Sequence, residues 1–345
     1  MPIDRYHRQQ LLPEIGRQGQ ARIGRGTVAV VGVGALGCVS ADLLCRAGVG
    51  RLILIDRDIV EPTNLQRQTL YTEADASAGV PKAKAALTRL KAVNSTIQIE
   101  AHAADLSPEN IEDLLEPADV IVDGTDNFET RYLLNDYAID AEVPLVLGGG
   151  LSTRGTALPI IPGRGPCLRC LSETLPEQTE TCDTAGVLGS IVAMIGARQA
   201  ALALRILTEG TSSLPIQLES YDAWTGQARS LDLTSARDPD CICCGKGNHE
   251  FLDGKGVGRT VRLCGRNAVQ ITPATVGRID LAAVTDRLRS AGDVTALEGI
   301  IRATIDNDSE QSQIEMTVFG DGRAIVKGTE EPARARSLYA RYVGG

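Results

Sequence analysis

Gly32, Gly34 and Gly37 stand in a G-x-G-x-x-G pattern directly after the β-branched run TVAVV. Glycines at that spacing permit a tight turn and let backbone N–H groups approach a phosphate at a helix N-terminus. Asp56 closes the next apolar run, RLILID, where a carboxylate can accept hydrogen bonds from ribose hydroxyls. Taken alone, this fingerprint fits NAD, FAD or ATP, with a dehydrogenase as the usual first assignment. The residues that follow change that assignment. Asp58 precedes a polar cluster of Asn64, Gln66, Arg67 and Gln68, and Gly79, Pro81 and Lys82 come next. Hydride transfer has no need of an arginine and a lysine aimed at a phosphate chain. Adenylation does, because negative charge builds on the α-phosphate and on the departing pyrophosphate. Asp126 and Asn127 end a third apolar run, at the strand edge where open sheets bind ligands.

A second chemistry lies in the cysteines. Cys167 and Cys170 form one C-x-x-C, and Cys241 and Cys244 form another. Two such pairs suit tetrahedral structural zinc with no open position, stapling remote segments of one domain. A redox role for either pair is the weaker alternative. Cys243 lies between two expected ligands and could exchange with one. Cys182 sits apart in TETCDTAG, while Cys38, Cys45 and Cys264 have apolar surroundings that suit core positions. Only His7, His102 and His249 could supply histidine acid–base chemistry.

These residues need a scaffold, and the 345-residue chain has room for a large domain and a smaller one. Hydrophobic residues make up 43% but aromatics only 3%, so the core rests on Val, Ile, Leu and Ala, as in buried parallel strands. Residues 1–26 read as a polar helical lead-in with Tyr6, Leu11, Leu12 and Ile15 as its apolar face. Strands are expected in TVAVV, RLILID, IQIEAHAA, ADVIVDGTDN and PLVLGGG. Helices are expected at Cys38–Ala47, at 82–93, in SPENIEDLL capped by Ser107, and over the long run GSIVAMIGARQAALALRILTEG. The alternation predicts an α/β, Rossmann-like, doubly wound and mainly parallel sheet. Two antiparallel strands follow between Leu214 and Leu233. Residues 1–247 form the adenylation domain in this reading, 248–258 a linker, and 259–345 a small α/β C-terminal domain that docks a partner. That last module reads strand, strand, helix, strand, hairpin, helix.

A net charge of −9 argues against a nucleic-acid partner. The N-terminus shows no apolar signal region, and no uninterrupted apolar stretch approaches the roughly 18–20 residues of a membrane span. A cytoplasmic location is the default.

The run GVGALGC…GVGRLILIDRDIVEPTNLQRQTLY…GVPKAK…VDGTDNFETRYLLND resembles the ThiF/MoeB/HesA family of ubiquitin-like-protein activating enzymes over about residues 4–245. The resemblance implies Mg-ATP-dependent adenylation of the C-terminal Gly-Gly carboxylate of a small ubiquitin-like sulfur carrier. It implies that Gly34, Ala35, Asp56, Asn64, Arg67, Lys82, Asp126 and Asn127 hold ATP. Arg67 and Lys82 would then bind phosphate oxygens, Asp126 would organise magnesium or the carrier's terminus, and Asp58 would sit near the metal. It further implies a homodimer in which Arg8 reaches the neighbouring subunit's site, with Arg131 and Asn135 in support. In relatives a cysteine at the place of Cys182 can capture the activated carrier covalently. The tail carries only Cys264 and does not read as the rhodanese domain that ends many sulfur-transferring relatives. The terminal Tyr-Val-Gly-Gly is expected to be inert. Two rival readings remain, an NAD-dependent dehydrogenase and a non-catalytic zinc-bearing scaffold.

Overall fold

Residues 5–172, 186–254, 260–263, 267–272, 279–289, 291–297, 299–305 and 313–343 are described in this computed structural model. The chain divides into two compact units, Met1–Gly256 and Val257–Gly345. In the first, the apolar runs become β1 (Thr27–Val31), β2 (Arg51–Ile55), β3 (Gln98–His102), β4 (Val120–Asp123) and β5 (Leu145–Leu151). They continue as β6 (Arg154–Ile160), β7 (Gln217–Asp222) and β8 (Gln227–Asp232), in the sheet order β3-β2-β1-β4-β5-β6-β7-β8. Strands β1 to β5 pair in parallel, and β5 to β8 pair antiparallel. The central strands are buried on both faces, which explains their unbroken Val/Ile/Leu content.

The sheet is mixed, its parallel part spanning β1 to β5 as expected and its antiparallel extension running one strand further than expected, through β6. Strand β6, RGTALPI, was not expected, since its Gly and Pro speak against a strand. Its Pro159 pairs with Val146 of β5 but lies beyond the stretch that pairs with β7, so no ladder donor is missing on that side.

The helix Ala35–Ala47 packs on the long helix Gly189–Glu209 so closely that a side chain at Gly196 would start 2.6 Å from the Leu36 carbonyl. Among the described residues Gly189–Glu209 is the one helix long and apolar enough to cross a membrane, although Arg198, Gln199 and Arg205 interrupt its apolar run. Here it is a core helix, with Ile191, Ile195 and Ile206 buried. The expected helix from Ser107 starts later, at Ile111, because the Asn110 side chain turns back to accept from the Ser107 N–H.

The lead-in forms two short helices, His7–Gln10 and Gly16–Ile23. Of its expected apolar face, Leu11 is 67% and Leu12 49% exposed, while Ile15 packs against the core. Tyr6 is the anchor: its ring fills the place a side chain at Gly48 would take, and its hydroxyl accepts from Asn94. Residues 248–254, expected as linker, pack onto the first unit through buried Phe251, which touches the Tyr132 ring.

The second unit is an antiparallel sheet in the order β11-β12-β13-β14-β10-β9. It comprises β9 (Thr260–Leu263), β10 (Ala268–Ile271), β11 (Gly292–Leu297), β12 (Ile300–Ile305), β13 (Ile314–Phe319) and β14 (Ala324–Lys327). Helices Leu281–Arg289 and Pro332–Tyr342 close its core over Val269, Ile301, Met316 and Val326. Strand β11 was not anticipated, because GDVTAL is largely exposed and carries no buried alternation. Cys264 lies outside the described residues.

Candidate active site

The register of β1 and β4 pairs Val31 with Asp123 and so sets Gly32 beside Gly124. The two strand ends press backbone on backbone: a side chain at Gly32 would start 2.7 Å from the Gly124 carbon, and one at Gly124 only 2.3 Å from the Gly32 oxygen. Gly32 has φ +82, and a side chain at Gly37 would start 1.9 Å from the Gly32 oxygen, so both must be glycine. Gly34 differs. Nothing lies within 3.9 Å of its absent side chain, and it precedes Ala35 at the start of a helix with no side-chain cap. The turn thus presents free N–H groups and open space, as a phosphate requires.

Val33 is held from both sides. Its N–H donates to Asp56 Oδ2 at 2.7 Å, and its carbonyl accepts from the Tyr71 hydroxyl at 2.6 Å. Asp56 Oδ1 accepts from the Asp58 N–H. Burial holds the Asp56 carboxyl above the usual carboxylate range, against the pull of Lys82. Lys82 opens the helix Lys82–Val93, is 3% exposed, and pairs with Asp58 Oδ2 at 3.0 Å. Arg57 extends this network to Asp105 at 3.1 Å. Its burial opposes the charged form, yet Asp105, Asp58 and Asp126 together hold the guanidinium above the usual arginine value.

Asn64 is buried and caps the turn Pro62–Asn64 by accepting from the Glu61 N–H. That turn delivers Gln66 to the surface, Arg67 onto the Thr63 carbonyl at 2.9 Å, and Gln68 into the interior beside Gly34. Asp126 is exposed at the tip of β4. Asn127 caps the helix Phe128–Asp140 by accepting from the Thr130 N–H at 2.7 Å. Arg131 buttresses this tip, 3.0 Å from buried Asp123 and donating to the carbonyls of Thr125 and Gly148.

Two expected members lie elsewhere. The neighbours of Arg8, Tyr6 and Gln9, contact Gly48 and Ala47, at the far end of the helix that begins beside Gly34. Thirteen helical residues separate the two ends by on the order of 20 Å, so exposed Arg8 is remote from its own chain's glycine turn. Asn135 faces the cysteines rather than the nucleotide turn, donating to Cys243 Sγ at 3.4 Å and accepting from the Leu168 N–H at 2.7 Å. Cys182 lies outside the described residues.

The sulfur atoms of Cys167, Cys170, Cys241 and Cys244 lie within 4.8 Å of one another. Individual separations of 3.9, 3.6 and 3.4 Å approach the roughly 3.8 Å edge of a tetrahedral zinc–thiolate site. The four side chains therefore fit zinc. A hydrogen bond from Cys243 pushes the Cys167 thiol down to about 4. Cys243 is wholly buried and turned towards Asn135, so it stands beside the four-sulfur set rather than in it.

The sequence profile of the ThiF family matches residues 6–243. The chain belongs to the ThiF family. It is 39% identical over 341 residues to the sulfur carrier protein ThiS adenylyltransferase of Bacillus subtilis (strain 168), covering 99% of both chains. It is 42% identical over 250 residues to the sulfur carrier protein adenylyltransferase of Thermus thermophilus, covering 70% of this chain and 91% of that one. The fold matches E. coli MccB in its crystal structure with ATP, at a TM-score of 0.61 and 23% identity over 71% of this chain and 75% of that one. Membership in the ThiF family sets aside the dehydrogenase reading. The Bacillus match, unlike the family profile, reaches into the second unit, since its 341 aligned residues exceed the first.

In this ThiF-family chain, four site-forming residues escaped sequence reasoning. Gly124 shows only as part of GTDN, and Arg57 as a charge among charges. Tyr71 and Gln199 look like ordinary helix or loop residues. Gln199, fully buried, donates to the carbonyls of Asp123 and Val146 and so ties the long helix to the end of β4 and the start of β5. The cue for Gly124 is its spacing: it follows a strand, as Gly32 does.

Proposed function

We propose that this chain activates the C-terminal Gly-Gly carboxylate of a small ubiquitin-like sulfur carrier as an acyl-adenylate, using ATP. The observation that carries the reading is the convergence at the strand tips. An uncapped helix N-terminus with open space at Gly34 lies at the end of β1, and the Asp58–Lys82 pair at the end of β2. Exposed Asp126 stands at the end of β4. The adenylyltransferase names of the Bacillus and Thermus relatives support the same chemistry.

The carrier's carboxylate is ionised at neutral pH, so no general base is needed. One of its oxygens attacks the α-phosphorus in line, the α–β P–O bond breaks, and pyrophosphate leaves with the electron pair. The glycine turn seats phosphate, Arg67 and Lys82 balance its charge, and Asp56 fixes the turn through Val33 while facing the ribose. Asp58 and Asp126 would hold magnesium, which neutralises phosphate charge when bound. Zinc on Cys167, Cys170, Cys241 and Cys244 would supply a crosslink and no chemistry. The distance of Arg8 from its own turn supports a homodimer in which it serves the partner's site. The full-length Bacillus match favours a thiamine-type, ThiS-like carrier over a molybdopterin-type one.

ATP–pyrophosphate exchange with Mg²⁺ and Gly-Gly carriers, supplied one at a time, tests the proposal. Exchange that requires a ThiS-like carrier and vanishes without its terminal glycine supports it. ATP binding without exchange on any carrier favours the scaffold alternative.

A further inference from the structure

The helix His7–Gln10 is a single turn, too short to be stable by itself, and it stands near a chain terminus, where backbone stays loose unless tied down. Here the ties are specific. The Tyr6 ring lies over Gly48, where a side chain would start 2.3 Å from Tyr6 Cζ, and Gly48 has a left-handed φ of +81 that also favours glycine. The Tyr6 hydroxyl accepts from the Asn94 amide at 2.9 Å. Asn94 is fully buried and fully bonded, since its amide also donates to the Cys45 carbonyl and its oxygen accepts from the Thr96 N–H and hydroxyl. On the other side Gln9 donates to the Ala47 carbonyl at 3.1 Å and to the Gln20 side chain at 2.7 Å. Arg8 lies between these two fastened residues and is exposed. The fastening does little to bury the residues that follow, because Leu11 and Leu12 stay exposed. What it fixes is the direction of Arg8.

We infer that Tyr6 is a positioning residue: seated over Gly48, it aims Arg8 at the partner subunit's nucleotide site. The inference rests on the homodimer reading, in which Arg8 serves the neighbouring chain, and adds the group that holds the arginine ready. An arginine on a loose terminus would have to be ordered each time ATP binds. A helix locked in place beforehand removes most of that entropic cost.

The test is ATP–pyrophosphate exchange by co-expressed, doubly tagged mixed dimers, with melting curves for each chain. Tyr6→Ala empties the slot and should lower exchange about tenfold or more as a homodimer, whereas Tyr6→Phe keeps the ring and should stay within about threefold of wild type. Paired with an Asp126→Ala chain, the Tyr6→Ala chain should recover about half of wild-type exchange, because its intact site receives a well-held Arg8 from the partner. Moving both substitutions onto one chain and pairing it with wild type should return exchange to the Tyr6→Ala level. A purely structural role would give the reverse, a defect that stays with the chain carrying Tyr6→Ala, and would overturn the inference. Exchange within roughly twofold of wild type in the Tyr6→Ala homodimer would overturn it as well. An Arg8→Ala homodimer as active as wild type overturns the trans-arginine reading itself, and so is distinguished from failure of Tyr6 alone.

Discussion

Lys82 and Asp58 form a 3.0 Å ion pair in which the lysine side chain is almost wholly withdrawn from water. The pair joins the end of β2 to the first turn of the helix Lys82–Val93, where the Lys82 N–H also donates to the Asp58 carbonyl. Lys82→Met should cost about 2 kcal/mol of stability, because it takes from Asp58 its nearer cation while Arg57 stays 4.0 Å away, and should reduce exchange at least a hundredfold. Combining it with Asp58→Asn should restore much of the stability and none of the activity. Denaturant melts run beside exchange assays check both halves. Recovery of activity in the double variant would remove Lys82 from the phosphate site.

Gly34 and Gly124 should respond oppositely to the same substitution. Gly124→Ala drives a methyl to within 2.3 Å of the Gly32 oxygen and should cost about 2 kcal/mol or more. Gly34→Ala meets nothing nearer than 3.9 Å and should melt like wild type while losing ATP affinity, because the methyl fills the cradle. A Gly34→Ala chain with unaltered ATP binding would place the phosphate elsewhere.

The four-sulfur cluster predicts one zinc per chain by elemental analysis. Chelation should lower the melting temperature by roughly 10 °C or more, since zinc binds only the folded arrangement of segments far apart in sequence. Cys243→Ser should retain full zinc, whereas Cys170→Ser should not. Loss of metal in Cys243→Ser would mean that Cys243 is a ligand.

Asp126 is exposed at the tip of β4, so Asp126→Ala should abolish exchange without moving the melting curve. Unchanged turnover would sink its assignment.

Glu219 on β7 gives a pH signature. Two hydrogen bonds from Arg198 hold its carboxyl below the ordinary glutamate value of 4.5, with help from Tyr221. Because the folded value is the lower one, the stabilisation is present above pH 4.5 and is lost as pH falls through the depressed value. Glu219→Gln should cost under about 1 kcal/mol at neutral pH, and the gap to wild type should close in acid. A gap that widens in acid would contradict the pairing.

By itself the sequence determined the local chemistry: the glycine turn after β1, Asp56 at the end of β2, the cation-bearing segment from Asn64 to Lys82, and two C-x-x-C pairs. These are legible because strand runs, turn glycines and ligand spacings are short-range patterns. The tertiary structure decided what depends on contacts between distant segments. Gly124 became part of the turn only through the β1–β4 register, which sets it against Gly32. Asn135 was drawn to the cysteines because its helix face meets the Cys243 loop, not the strand tips. Leu11 and Leu12 stayed exposed in the break between two short helices, while Tyr6 above Gly48 and Ile15 against the core hold the lead-in. Within NLQRQ, the burial of Gln68 and the exposure of Gln66 follow from the curl of one capped turn, which places two like residues on opposite sides of the same wall.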